Sequence, residues 1–274
     1  MIDTLIFSGG GPSGILYLGV LNAFLKKNLI DDKLTGIKEI ITTSVGILFS
    51  FCLLIGIKYD VIYFIVMKYN IENIINLDDI SIDNILIDFG LFKMNEIKNL
   101  FQSLIKNILH KDDITLYELY EKTKIKLTVK VFNVTQTQTE YISYETHPEL
   151  SIITLAQMTM AIPFFFQPIQ YNGNLYVDGG LRGGFPIEKC QSDNFLGIHI
   201  KSGMGKNVFT VHPFINYIFS MMFEKEEYDI NDKRILILTT DQGLSFDLSN
   251  DKKNLLIQTA YDKTCLFIDN LTKD

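Results

Sequence analysis

The chain has 274 residues, 47% of them hydrophobic and 21% charged, which is ample material for one large core. Its net charge of −7 argues against a nucleic-acid partner, because phosphate binding needs a basic surface, and against purely electrostatic docking on an anionic bilayer. Cys52, Cys190 and Cys265 are far apart and lack CxxC spacing, so they read as free thiols in a reducing compartment.

A strand over 4–7 runs directly into the glycine loop Ser8-Gly9-Gly10-Gly11-Pro12-Ser13-Gly14, so no signal peptide is read and a cytoplasmic location is expected. A helix with an apolar face follows over about 14–26. A strand over 37–43 leads into a helix over 45–57, the longest apolar run. Lys58 stops it well short of the roughly 20 residues that a membrane span needs, so it reads as a buried core helix. Residues 59–110 read as helix in pieces, broken by turns at Asn70, Asn73, Asn76 and Asp78. Thr115-Leu116-Tyr117-Glu118 is a capping box that opens another helix. The alternating stretch 125–131 reads as a strand, with 139–144 pairing to it. A helix over 151–161 stops before Pro163, strands are expected at 195–201 and 234–240, and helices near 213–226 and 252–268. Alternating strands and helices predict an α/β fold with a mainly parallel sheet. Without repeats, a linker or a composition break, the expectation is a single domain over 1–274.

Ser44 falls where the strand over 37–43 turns into the helix that begins Val45-Gly46. That places a hydroxyl at the tip of a strand-to-helix turn, with N–H groups of the new helix aimed at it: the geometry of a nucleophile elbow. The alternative is an ordinary helix N-cap. Ester hydrolysis by serine also needs a base and preorganised donors for the oxyanion. Asp178, at the end of the apolar stretch Leu175-Tyr176-Val177 and followed by Gly179-Gly180, is the candidate base; the alternative is a simple turn. Gly9, Gly10 and Gly11 are the candidate oxyanion donors, with the N–H of Val45 as another. Gly9-x-Gly11-x-x-Gly14 is also a literal GxGxxG, and an FAD- or NAD-binding oxidoreductase is the rival reading. That reading needs an acid at the end of the second strand, whereas Asp31 and Asp32 precede it.

Taken together, these segments resemble the patatin-like phospholipase family over nearly the full length. The family's Gly-Gly-Gly-x-(Lys/Arg)-Gly motif matches Gly9-Gly10-Gly11-Pro12-Ser13-Gly14, and its Gly-x-Ser-x-Gly motif matches Thr42-Thr43-Ser44-Val45-Gly46. Its Asp-Gly-Gly/Ala motif matches Asp178-Gly179-Gly180, and Ala161-Ile162-Pro163 with Phe166 and Pro168 resembles the segment before the aspartate strand. The resemblance implies a three-layer α/β/α sandwich and a Ser–Asp dyad that cleaves acyl esters of phospholipid or lysophospholipid. It implies no triad histidine and no metal. No cofactor is expected, and the high apolar content with the Phe-rich segment near the aspartate strand points to peripheral contact with a membrane or lipid aggregate. Thr42 and Ser13 depart from the family pattern, replacing a glycine and a basic residue; Arg182 is the nearby cation that could compensate, with an exposed structural arginine as the alternative. A catalytically inactive lipid-binding relative is the third reading, since a fold alone guarantees no activity.

A Ser…Asp…His triad would require His199 or His212, which both follow Asp178. His199 lies in mid-strand and reads as structural, whereas His212 precedes Pro213 in a loop. His110 and His147 precede the aspartate and have no supporting context. Phe164-Phe165-Phe166 and the segment 204–214 are candidate walls of an acyl cleft or of a lip that contacts lipid, with core packing as the alternative.

Overall fold

The computed structural model describes residues 2–68, 89–202, 228–240 and 249–271. Its strands are β1 (Thr4–Phe7), β2 (Glu39–Thr43), β3 (Gly90–Phe92), β4 (Lys126–Asn133), β5 (Gln138–Ile142), β6 (Phe164–Phe166), β7 (Ile169–Tyr171), β8 (Asn174–Asp178), β9 (Phe195–Ser202) and β10 (Ile235–Thr240). The described helices, in chain order, are α1 (Leu16–Lys26), α2 (Gly46–Leu54), α3 (Tyr59–Lys68), α4 (Asn95–Leu109), α5 (Leu116–Thr123), α6 (Ile152–Met160) and α7 (Asn250–Leu271).

The central sheet has the order β10-β9-β1-β2-β4-β8-β7, with β5 also on β4, and helices pack against it. From β10 to β4 all neighbours are parallel. Successive side chains of a strand face opposite ways, and β1 buries both. Leu5 and Phe7 join the main core with Tyr17, Phe24 and Phe49. Ile6 pairs with Ile41 and meets Phe185, Phe195 and Ile235 in a second cluster. This two-sided burial explains why the strand reads as a continuous apolar run.

One register fixes where the two motifs meet. Val129 and Lys130 of β4 pair with Thr42 and Thr43 of β2 and also with Ile142 and Tyr141 of β5, so β2 and β5 occupy opposite edges. Val131 pairs with Glu140 of β5 and with Asp178 of β8, so β8 shares the β2 edge. The parallel β2 and the antiparallel β8 therefore approach head-on along one edge of β4. Their last residues, Thr43 and Asp178, lie against the neighbours Lys130 and Val131.

The expected elements recur with shifted ends. The capping box forms: Thr115 Oγ1 accepts from Glu118 N–H and Glu118 accepts from Thr115 N–H. The helix expected over 45–57 closes at Leu54, and Gly56 follows with φ +75°. The strand expected over 139–144 ends at Ile142, where Thr146 N–H bonds back to Ser143 O. The pieces read across 59–110 are α3 and α4, with the short β3 between them and residues 69–88 outside the described set. β3 pairs with β6, a long-range partnership invisible to local pattern. The helix expected near 213–226 lies outside the described residues. Among described residues, no helix is long and apolar enough to cross a membrane.

Candidate active site

Ser44 has φ +50°, a left-handed backbone that costs a non-glycine residue energy and marks a sharp strand-to-helix turn. Its N–H donates to Thr159 Oγ1 at 2.8 Å, and Thr159 Oγ1 donates in turn to Lys130 O at 2.8 Å. The turn is thus tied through α6 to β4. Ser44 Oγ donates to Asp178 Oδ2 at 2.5 Å. Gly180 N–H donates to Asp178 Oδ1 at 2.7 Å, and Asp178 N–H donates to Ala161 O at 2.9 Å. Only 1% of Asp178 is exposed, and burial pushes its carboxyl up to about 7; the Ser44 and Gly180 hydrogen bonds and the nearby Lys130 ammonium act against that rise.

The glycine loop leaves β1 through Ser8. Ser8 Oγ donates to Gly9 O at 2.7 Å and accepts from Ile200 N–H at 2.8 Å, while Tyr17 OH donates to Ser8 O at 2.7 Å. Gly11–Ile15 form a short 3-10 turn before α1. Gly9 N–H donates to Gly184 O at 2.8 Å, so this amide is already committed and cannot serve as the donor expected of it. Gly9 instead provides room: a Cβ there would lie 3.1 Å from Ser44 Cβ. Among the described residues, the N–H groups of Gly10, Gly11 and Val45 have no acceptor. Gly14 packs against Val45, and Gly46 against Thr42 and β1.

Ser44 opens into a cleft of about 990 Å³, counting space open to solvent at its mouth. Gly11, Val45, Phe49, Leu100, Ile162 and Phe166 are among its walls. Lys253 of α7 is the one charged lining side chain among the described residues. Phe166 thus takes the wall position expected for it, whereas Phe164 is exposed and Phe165 packs at the edge of the core. The segment 204–214 and His212 lie outside the described residues.

His199 stacks on Phe185 with ring centroids 4.8 Å apart, and its Nδ1 lies 2.5 Å from Tyr228 OH. Burial pulls its pKa down to about 3, with Lys201 adding to the effect, so it is a neutral packing residue. His147 contacts Thr146, and His110 is the left-handed C-cap of α4. Asp31, the acid considered for a ribose, accepts from Lys33 and Thr35 N–H in the turn after α1. Arg182 is exposed, with its guanidinium 5.6 Å from the Phe132 ring centre. Thr159, Lys130 and Gly184 are neighbours of the site that carry no local sequence signal. They are supplied by α6, by mid-β4 and by a loop, each distant in the chain.

The Patatin-like phospholipase profile matches residues 5–190, which contain both motifs and the glycine loop. The chain is 34% identical over 188 residues to the probable lipid hydrolase 463L of Invertebrate iridescent virus 6, covering 68% of this chain and 62% of that protein. It is 27% identical over 228 residues to the uncharacterized protein R571 of Acanthamoeba polyphaga mimivirus, covering 80% and 74%. Among solved structures, VipD from Legionella pneumophila superposes with a TM-score of 0.61 at 19% identity, covering 98% of this chain and 67% of VipD. The type III effector ExoU gives 0.56 at 12% identity, covering 98% and 53%. This chain therefore spans just under two thirds of the viral lipid hydrolase and about half of ExoU. The structural likenesses speak for the fold; the profile match, over more than half the chain, places this protein in the patatin-like phospholipase family.

Proposed function

We propose that this protein is a lipid acyl-ester hydrolase of the phospholipase A or lysophospholipase type, working through a Ser44–Asp178 dyad. The observation that carries the reading is the 2.5 Å contact from Ser44 Oγ to Asp178 Oδ2 at an apolar cleft. Ser44 Oγ attacks the ester carbonyl as Asp178 takes its proton. The oxyanion forms against the N–H groups of Gly10, Gly11 and Val45, and Gly9 keeps its loop in place. One such donor is worth about 10²–10³ in rate. Asp178 then returns the proton to the leaving alcohol, and water, activated by the same carboxylate, releases the acyl group from Ser44.

The apolar walls suit an acyl chain, and Lys253 suits the phosphate of a phospholipid or lysophospholipid. Phe64 of α3, Phe89 beside β3 and Phe164 of β6 are exposed on elements that adjoin the cleft walls, which suits contact with a lipid aggregate. A fluorophosphonate probe tests the assignment. It labels the wild-type protein and not Ser44→Ala, and wild type releases fatty acid from lysophosphatidylcholine, as do folded His199→Ala and His212→Ala. Folded wild type that takes no label and releases no fatty acid is a lipid-binding module instead.

A further inference from the structure

Lys130 is a buried cation in the middle of β4, with 1% of its side chain exposed. Its ammonium donates to Arg182 O at 3.0 Å, Gly183 O at 2.9 Å and Glu188 Oε1 at 2.5 Å, so all three protons are used. Every acceptor comes from the segment that follows Asp178. The next carbonyl along, Gly184 O, receives the Gly9 N–H. The backbone of the same lysine serves the other half of the site. Lys130 O accepts from Thr159 Oγ1, which holds Ser44 N–H, and from Thr43 Oγ1 at 3.3 Å.

A buried ion pair is weak evidence for stability, because apolar residues of similar volume often serve the fold as well. This one joins the nucleophile turn and the aspartate loop at one residue, and the aspartate loop in turn holds the glycine loop through Gly184 O. We propose that Lys130, anchored by Glu188, is the positioning residue that locks these three segments together and keeps the Asp178 carboxylate ready to act as base. The inference rests on the dyad reading above. Among the described residues, the Ser44 hydroxyl and the Gly180 N–H bond the Asp178 carboxyl, and the Lys130 ammonium, held by the loop that follows Asp178, acts on it through its charge. Those around Lys130 are Glu188 and Tyr141, whose hydroxyl donates to Glu188, while the Arg182 guanidinium turns to Phe132. Lys130 is thus the cation that favours the ionised aspartate, and Glu188 partly cancels its field.

Opposite shifts of the pH profile are the signature. kcat/KM is measured against pH on one soluble ester, with active sites counted by fluorophosphonate labelling so that misfolded protein is discounted. Lys130→Met moves the acidic limb to higher pH and lowers kcat about tenfold or more at pH 7, with KM within about twofold. Glu188→Gln moves the limb to lower pH, because the carboxylate that partly cancels the Lys130 field is gone. Lys130→Arg leaves the limb in place. A purely structural role changes the number of labelled sites and moves neither limb, and unmoved limbs in the variants that fold overturn the proposal. If Lys130→Met does not fold, Glu188→Gln decides alone. Asp178→Asn serves as the control: full turnover in that variant defeats the dyad itself, whereas a dead Asp178→Asn beside unmoved limbs defeats only the role of Lys130.

Discussion

Ser44 and Asp178 are 134 positions apart in the chain, yet their side-chain oxygens are 2.5 Å apart. Sheet register accounts for the meeting. Two strands that run toward one another on a single edge of β4 must deliver their last residues to the same point, set by Lys130 and Val131. The turn after β2 then lifts Ser44 out of the sheet, and the turn after β8 begins at Asp178. Asp178 closes β8 and Ser44 directly follows the last residue of β2.

Burial sets the working range of Asp178. Its carboxyl is raised from 3.8 to about 7, so the base is ionised only above that pH, and kcat/KM rises through an acidic limb centred near 7. The same shift acts on stability. Between those two values the folded protein holds a proton that the unfolded chain has released, so stability is lost as pH climbs from about 4 to about 7. At 1.36 kcal/mol per pH unit the loss is on the order of 4 kcal/mol. Asp178→Asn removes it, and its melting temperature exceeds that of wild type by more at pH 8 than at pH 5. Equal gains at both values would show that the carboxyl titrates normally.

Close approach separates the glycines around the site. A Cβ on Gly179 would lie 2.2 Å from Lys130 O, and backbone cannot give way. Gly179→Ala therefore costs about 2–4 kcal/mol and shifts the aspartate turn. A Cβ on Gly184 meets nothing within 4 Å, so Gly184→Ala stays within about 0.5 kcal/mol of wild type. Thermal melts of the two variants, with activity per labelled site, check the contrast.

Much of this architecture is legible in the chain itself. The strand over 4–7, the turn at Ser44 and the capping box at Thr115 carry local signals of apolar run, turn and cap. The meeting of Ser44 with Asp178 is legible only through the ordered motifs, because the β4 register that produces it leaves no local trace. Lys130 shows the limit most clearly. In an alternating strand it reads as a solvent-facing residue, yet the loop after Asp178 folds over it and supplies three acceptors. Gly9 shows another limit: the motif marks it as a donor, and the partner that claims its amide, Gly184, lies far along the chain.

Ser13 stands where the family pattern has a basic residue, and its fully buried hydroxyl has no hydrogen-bond partner among the described residues. An unpaired buried hydroxyl costs about 1–3 kcal/mol of desolvation. Ser13→Ala removes that cost and raises the melting temperature while turnover is unchanged. Ser13→Lys places a charge in the same enclosed position and lowers stability by several kcal/mol. If Ser13→Lys melts like wild type, the site has room or a partner for a cation, and the departure from the family pattern is neutral.

Lys253 offers the sharpest test of the substrate class. Its helix, α7, crosses α1 closely at Gly19, and Asn254 Oδ1 accepts from Tyr63 OH of α3 at 3.3 Å. The ammonium is therefore carried on a braced element beside walls that otherwise bear no charge among the described residues. A charge-assisted contact to a phosphate contributes about 1.5–3 kcal/mol, which is roughly tenfold or more in kcat/KM. Lys253→Ala lowers kcat/KM by that factor on a lysophospholipid and by less than about twofold on a monoacylglycerol with the same acyl chain. Lys253→Arg keeps the preference, because the charge remains. The comparison uses both substrates below their aggregation limits, so that binding to an interface does not enter. Equal losses on the two substrates would mean that Lys253 only shapes the cleft, and the preference for a phosphate-bearing lipid would then have no support from this residue.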